Sequence, residues 1–318
     1  MTAKGARAFG RICRLTRAAL AFAGLALAAG PALAAQVAVV LSDDSAPYQE
    51  VYQVMRAHLA ERGHDVKRMY VVGLAAAALG EARLTVAVGV RAAEALAAMP
   101  LRTPLLAVLV PRSWWYAGSG RSRLSDYGRR TASAIFLDQP VERQALLIRL
   151  AFPDAQRVGV LTSAEQALLL DELNAALQDQ QLKLVAQTLE SDARLIGPLE
   201  QVLGNADLLL AVPDPQVFNR NTAQSLFLTS YRYRVPVLGY SQSLTRAGAL
   251  LSLHSSPAQI GRQAADWVSQ ALAVVPVRLP GPAHPAYFDV SINAQVARSL
   301  GFILQPEAVL EKQLGGGR

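Results

Sequence analysis

The chain has 318 residues, 52% of them hydrophobic and 17% charged, with one cysteine and a formal charge of +7. This length fits about two domains of roughly 150 residues each, and the apolar fraction excludes a disordered chain, while the low cysteine and glycine content excludes disulfide-rich and collagenous classes. The charge is not a nucleic-acid signal: Lys4, Arg7, Arg11, Arg14 and Arg17 concentrate it in residues 1–34, and beyond them 26 basic residues face 24 acidic ones, a net of +2.

Residues 1–17 are basic, residues 18–30 are the apolar run AALAFAGLALAAG, and Pro31 and Ala32-Leu33-Ala34 follow. This order predicts a cleavable export signal over 1–34, cut after Ala34, and a periplasmic destination. The run falls short of the ~20 residues of a spanning helix, so the cleaved protein is expected not to span the membrane. Cys13 precedes the apolar run, which argues against lipidation, and the cleaved chain would hold no thiol for catalysis or metal binding.

The remaining chain alternates strand and helix. Gln36–Leu41 is a continuous β-branched apolar run, the pattern of a buried parallel strand. A helix over Tyr48–Arg62 stops at Gly63, and strands at Asp65–Val72 and Leu84–Val88 follow, the second turning at Gly89 into a helix over Arg91–Met99. Pro104–Val110 is a strand, residues 111–130 a long loop, Thr131–Leu137 a strand and Gln139–Phe152 a helix. The rhythm restarts with strands Arg157–Leu161, Lys183–Leu189 and Asp207–Val212 between helices Ala164–Gln178, Ala193–Leu203 and Val217–Tyr231. Strands Val235–Gly239 and Ala249–Leu253, a long helix Pro257–Ala273, a strand Tyr287–Ser291, a short helix Ala294–Leu300 and a polar tail complete it. Two such series predict an α/β fold of two Rossmann-like lobes with parallel sheets.

Ligands of such folds sit at the carboxyl ends of the strands, so the turns there carry the candidate site residues. Ser42, Asp43 and Tyr48 follow the first strand; such groups bind polar ligand atoms or act as helix N-caps. Gly89, Val90 and Arg91 follow the third: glycine lets backbone approach a ligand, the helix start favours an anion and arginine adds a charge-assisted hydrogen bond, or the three are a turn and a solvated side chain. Asp214 suits a ligand ammonium group or a helix cap, and Tyr240 and Ser241 suit a small amphipathic ligand. Phe218 lines the same side or packs in the core, and His254 ends a strand aimed at the cleft. The loop 111–130 interleaves five arginines with Trp114, Trp115, Tyr116 and Tyr127, in keeping with a lid or a partner-binding loop; export argues against nucleic acid.

Other chemistry finds no support. The sequence has no G-x-x-x-x-G-K-[ST] loop and no G-x-S-x-G elbow, and His58, His64, His254 and His284 lack metal-ligand spacing. No cofactor, metal site or catalytic residue is expected, and a periplasmic hydrolase would need a nucleophile–base pair that cannot be assembled.

Several segments together resemble a known family: Pro153–Leu161 (PDAQRVGVL), Ala206–Val212 with Pro213-Asp214, Arg234–Gly239, Arg246–Leu250, Ile260–Ala264, Asn293–Gly301 and the turn Gly89–Ala93. They are similar to the substrate-binding proteins of bacterial ABC transporters, and more narrowly to the family that includes aromatic amino-acid binders. The resemblance implies a type I periplasmic binding protein, with two hinged lobes and a ligand between them. It implies that Pro257–Ala273 returns to the first lobe, giving an N-terminal lobe of 35–138 with 255–280 and a C-terminal lobe of 139–254 with 281–318. The implied partners are a small molecule, an amino acid or similar polar or aromatic solute, and an inner-membrane ABC permease. The alternative is a periplasmic sensor or partner-binding module derived from that fold. The sequence departs from the family pattern at Pro111–Trp115, Arg130–Ala134 and His254–Gly261.

Overall fold

The computed structural model describes residues 36–100, 103–116, 132–189, 195–219 and 221–315. The expected export signal and most of the basic-aromatic loop lie outside these residues. Two sheets organise the chain. The first has the order β2-β1-β3-β4-β5, from Gln36–Leu41 (β1), Asp65–Tyr70 (β2), Leu84–Val88 (β3), Leu105–Val110 (β4) and Ala132–Phe136 (β5), all parallel. The second has the order β11-β10-β9-β8-β6-β7, from Arg157–Ser163 (β6), Lys183–Leu189 (β7), Leu208–Leu210 (β8), Val237–Gly239 (β9), Leu251–His254 (β10) and Asp289–Ile292 (β11). Only β11 in that sheet is antiparallel, paired with β10. Apart from β11 the two sheets share one strand order, in which the first strand lies between the second and third. Such an order creates a crevice where successive crossovers diverge.

The apolar runs explain the burial. All five residues of β3 are buried, as expected of a strand covered on both faces. Helices Ala46–Glu61 (α1) and Val90–Ala97 (α2) flank the first sheet, with Arg112–Tyr116 (α3) after β4. Val141–Ala151 (α4), Ala167–Asp179 (α5), Ile196–Leu203 (α6), Ala223–Arg232 (α7) and Gln242–Ala247 (α8) accompany the second. The long helix Pro257–Leu272 (α9) leaves β10 and packs on α1 and β4, so it covers the first sheet. Its approach to α1 depends on Gly261, where a Cβ would lie 2.9 Å from the Val51 carbonyl oxygen. Ala283 forms a bridge with Ile135, so the chain is still attached to the first sheet there before β11 joins the second. Ala294–Leu300 (α10) and Glu307–Gln313 (α11) complete the second lobe.

Local chemistry accounts for the differences from expectation. The predicted helix over Val217–Tyr231 begins only at Ala223. The Asn219 side chain accepts from the Asn221 and Thr222 N–H groups and the Thr222 hydroxyl donates to the Val217 carbonyl, so polar side chains replace helical bonds with a turn. The start of the predicted loop 111–130 is helical, over Arg112–Tyr116. The predicted polar tail contains α11, whose Glu307 and Glu311 accept from Ile292 and Val290 N–H on the edge strand β11. Among the described residues no helix is long and apolar enough to cross a membrane.

Candidate functional site

Three chain passages join the lobes, near residues 137–140, 254–256 and 283–288. They are cross-tied. Gln139 Nε2 donates to Ser255 Oγ at 2.8 Å, and Ser255 Oγ donates to the Tyr287 carbonyl at 2.5 Å. His284 Nδ1 lies 2.8 Å from the Asp138 carbonyl oxygen. Beside these passages a cleft of about 500 Å³ opens between the lobes. The first lobe supplies the start of α1 (Ala46, Pro47, Tyr48, Glu50), Leu109 and Leu137, and the second supplies Tyr240 to Ser243 and Arg246. His254, Ser255, Ser256 and Pro257 come from the passage between them. The volume falls within the range of small-molecule sites.

Of the sequence-predicted residues, Tyr48, Tyr240, Ser241 and His254 line this cleft. Tyr48 packs over Gly89, whose φ of +86° and lack of a side chain accommodate it; a Cβ there would lie 2.7 Å from both the Tyr48 hydroxyl and Ser42 Oγ. Burial pushes the Tyr48 phenol up, nearby Asp43 pushes the same way and Arg91 opposes both. Tyr240 is held by an edge-to-face contact with Phe218, with ring centroids 6.1 Å apart. Burial, with Asp138 and Asp214 nearby, pushes the Tyr240 phenol up to about 12, so it remains a neutral donor. Ser241 caps α8 by accepting from Leu244 N–H at 3.2 Å. His254 Nε2 is 2.7 Å from Ser291 Oγ; burial lowers its pKa against the opposing pull of Asp289 and Glu307, which favours neutral imidazole.

The other predicted residues stand behind or outside the lining. Ser42 donates to the Val88 carbonyl at 2.8 Å and accepts from Ala92 N–H at 3.0 Å, which fixes α2 to β1 and β3. Asp43 Oδ1 accepts from Ser45 N–H at 2.9 Å on the exposed rim. Val90 and Arg91 form the first turn of α2, with Arg91 exposed. Both carboxylate oxygens of Asp214 hold backbone, from Ser163 N–H at 2.7 Å and Gln216 N–H at 3.0 Å. Phe218 lies in the second lobe's core, behind Tyr240, and in a turn rather than on a helix. In each lobe, therefore, an internal hydrogen bond ties the loops at the strand-order crevice, and the open volume lies toward the hinge.

Gln242 and Ser243, in the same turn after the strand Val235–Gly239, also line the cleft, whereas sequence reasoning passed over Leu109, Leu137 and Asp138. Leu109 sits at a register shift in β4 with φ of +55°, a left-handed conformation rare for leucine, and the shift turns it into the cleft. Nothing in an apolar strand run signals such a bulge. Asp138 is buried, its Oδ2 accepts from Arg112 N–H at 2.6 Å, and burial pushes its carboxyl up to about 6. Beside the hinge passage that holds Asp138, Arg112 of the first lobe pairs with both Glu172 oxygens of α5, at 2.5 and 2.8 Å, and Gln166 Nε2 donates to Ser113 Oγ at 3.0 Å.

Comparison with known proteins agrees with this architecture. A family model described as ABC transporter substrate binding protein matches residues 136–314. No curated protein matches the chain by sequence. A conserved domain protein from Vibrio cholerae is 23% identical over 87% of this chain and 97% of its own, with a TM-score of 0.65. An ABC domain from Streptococcus pneumoniae in complex with L-Trp is 16% identical over 87% of this chain and 98% of its own, with a TM-score of 0.65. The ligand-free, open form of a substrate-binding protein with adhesive properties from Clostridium difficile is 14% identical over 86% and 96%, with a TM-score of 0.68. At these identities the likeness is one of fold, the type I periplasmic binding protein architecture. The family match spans more than half of the sequence, and the chain accordingly belongs to the ABC transporter substrate-binding protein family.

Proposed function

We propose that this protein is the exported solute-binding component of an ABC transporter, which closes two lobes over a small ligand and passes it to an inner-membrane permease. The observation that carries this reading is the cleft of about 500 Å³ whose walls come from both lobes and the hinge. A ligand touching both walls favours the closed arrangement over the open one, and that difference in contact drives closure. Tyr48, Tyr240, Ser241 and His254 are its contacts in this reading. Gly89, Ser42, Asp214 and Phe218 position them, and Asp43, Val90 and Arg91 flank the entrance. In this reading the N-terminal lobe takes residues 35–138 and 255–280 and the C-terminal lobe takes 139–254 and 281–318; the sheet membership of the strands supports this division, while the Ile135–Ala283 bridge favours a third passage a few residues later.

The basic and apolar runs over residues 1–34 support export to the periplasm with cleavage after Ala34. Mass spectrometry of protein recovered from a periplasmic extract should give a mature chain beginning at Ala35. The test of function is calorimetry and thermal-shift screening of that chain against amino acids, nucleosides, sugars and organic anions. Ligand-dependent stabilisation is expected, and its absence across the panel would remove the reading. The Arg112–Glu172 pair, which ties the two lobes through the protein's own side chains, favours a second reading: a sensor or partner-binding module. Co-purification of a membrane receptor in place of a permease would select it.

A further inference from the structure

The cleft's charge chemistry narrows the class of ligand, on the reading that the cleft captures a solute. A free amino acid, an organic acid or a nucleotide enters a cleft as an ion. Its desolvation must be offset by an opposite charge or by converging N–H donors. Among the described residues, the buried and half-buried charges that stand behind the cleft wall have partners within the protein. Arg112 is paired with Glu172, and Asp214 is held by two backbone N–H groups. Asp138 accepts from Arg112 N–H. His254 borders the cleft, but burial favours its neutral form.

Two of the helix starts that face the cleft, those of α8 and α9, are likewise occupied, whereas that of α1 has no side-chain cap. Ser241 accepts from Leu244 N–H in α8. At α9 a reciprocal capping box links Ser256 and Gln259, with bonds of 2.9 and 3.2 Å. Pro47 and Pro257, in the first turns of α1 and α9, have no N–H to give. The starts of α8 and α9 therefore offer less to an anion than uncapped helix starts would, and Pro47 takes one N–H from the start of α1.

Apart from Glu50, Arg246 and the buried His254, the described lining residues carry no ionisable group that is charged near neutral pH. Tyr48 and Tyr240 face the cleft from opposite lobes, Leu109 and Leu137 add apolar surface, and Gln242 and Ser243 carry neutral polar groups. Glu50 and Arg246 also border it, but both are exposed, where charge is solvated and screened. Asp43 and Arg91 are exposed and outside the lining. Aromatic faces with hydroxyl and amide groups match a flat or cyclic molecule bearing hydroxyl or amide substituents. We propose that the cleft selects an uncharged, hydroxyl- or amide-bearing ring compound over free amino acids, organic acids and nucleotides.

The test uses matched pairs on the purified mature chain: adenosine against adenosine monophosphate, N-acetyl-L-tryptophanamide against L-tryptophan, and D-glucose against D-glucuronate. Each is titrated calorimetrically at low and at high salt. In the pair that binds, the neutral member should bind about 100-fold or more tightly than the charged one, because the latter buries an unpaired charge. Its affinity should also be nearly independent of salt. A charged member binding as tightly as its neutral counterpart, or more tightly, would overturn the ligand class and leave solute capture standing. Silence from every pair and from the broader screen would overturn solute capture itself, and this inference with it.

Discussion

Gly89 is the residue on which the first-lobe wall turns. Its φ of +86° and the 2.7 Å that a Cβ would leave to the Tyr48 and Ser42 oxygens mean that Gly89→Ala meets both backbone strain and a clash. We expect a loss of about 1–3 kcal/mol in urea unfolding, with weaker ligand binding as Tyr48 is displaced. Asp138 gives a prediction in pH. Burial raises its carboxyl to about 6, above the value near 4 of an unfolded chain, so between those values the folded protein holds the extra proton. Its contribution is complete below about pH 4 and is lost as pH rises through about 6, at a cost of roughly 2–3 kcal/mol. Asp138→Asn should flatten that part of the stability profile and equal or exceed the wild type at pH 8, as measured by thermal unfolding from pH 4 to 8. A variant less stable than wild type at pH 8 would contradict this. At this scale the sequence was only partly legible. Tyr48, Tyr240, Ser241 and His254 follow strands, and the structure brings them to the cleft. Asp214 and Ser42 follow strands too, yet their polar atoms hold neighbouring backbone, a use that spacing does not distinguish from ligand contact.

The elements themselves were far easier to read, because continuous β-branched runs and 3.6-residue periodicity are strong signals wherever a segment is buried. The helix α9 shows this: Ile260, Ala264, Val268 and Ala271 make one buried stripe, and the Ser256–Gln259 pair marks its start. What escaped was short or held by side chains. The six-residue α8 depends on the Ser241 cap. The tail helix α11 reads as polar because few of its residues are apolar, but Leu310 is fully buried in the second lobe's core. Its two glutamates occupy N–H groups on the edge strand β11, which would otherwise remain open to pairing with another chain. Leu310→Ala should therefore cost about 2–4 kcal/mol, although it lies in a segment that hydropathy would assign to solvent. Chemical denaturation checks the magnitude. A change within about 0.5 kcal/mol of zero, the ordinary effect of a surface substitution, would mean that α11 does not dock in solution.

At the scale of the whole molecule, the lobes touch through the hinge passages and again through Arg112–Glu172 and Ser113–Gln166. The second set joins the helix after β4 to the elements after β6, so it persists only while the lobes are together. Its side chains are partly exposed, 22% for Arg112 and 35% for Glu172, so solvent screening holds the ion pair to about 0.5–1 kcal/mol. That is enough to change the ratio of closed to open unliganded protein by about two- to fivefold. Glu172→Gln should therefore raise the open fraction and weaken the apparent affinity for any ligand of the closed state by no more than a similar factor, because only the closed fraction is competent. High salt should open the wild type toward the variant and change the variant little. Distances between labels on the two lobes would report this directly. Cys13 is the only cysteine and lies within the predicted export signal, so introduced cysteines would be the sole labelling sites in the mature chain. If Glu172→Gln leaves both the distance distribution and its salt response unchanged, the ion pair contributes nothing to closure, and the hinge ties alone must hold the lobes.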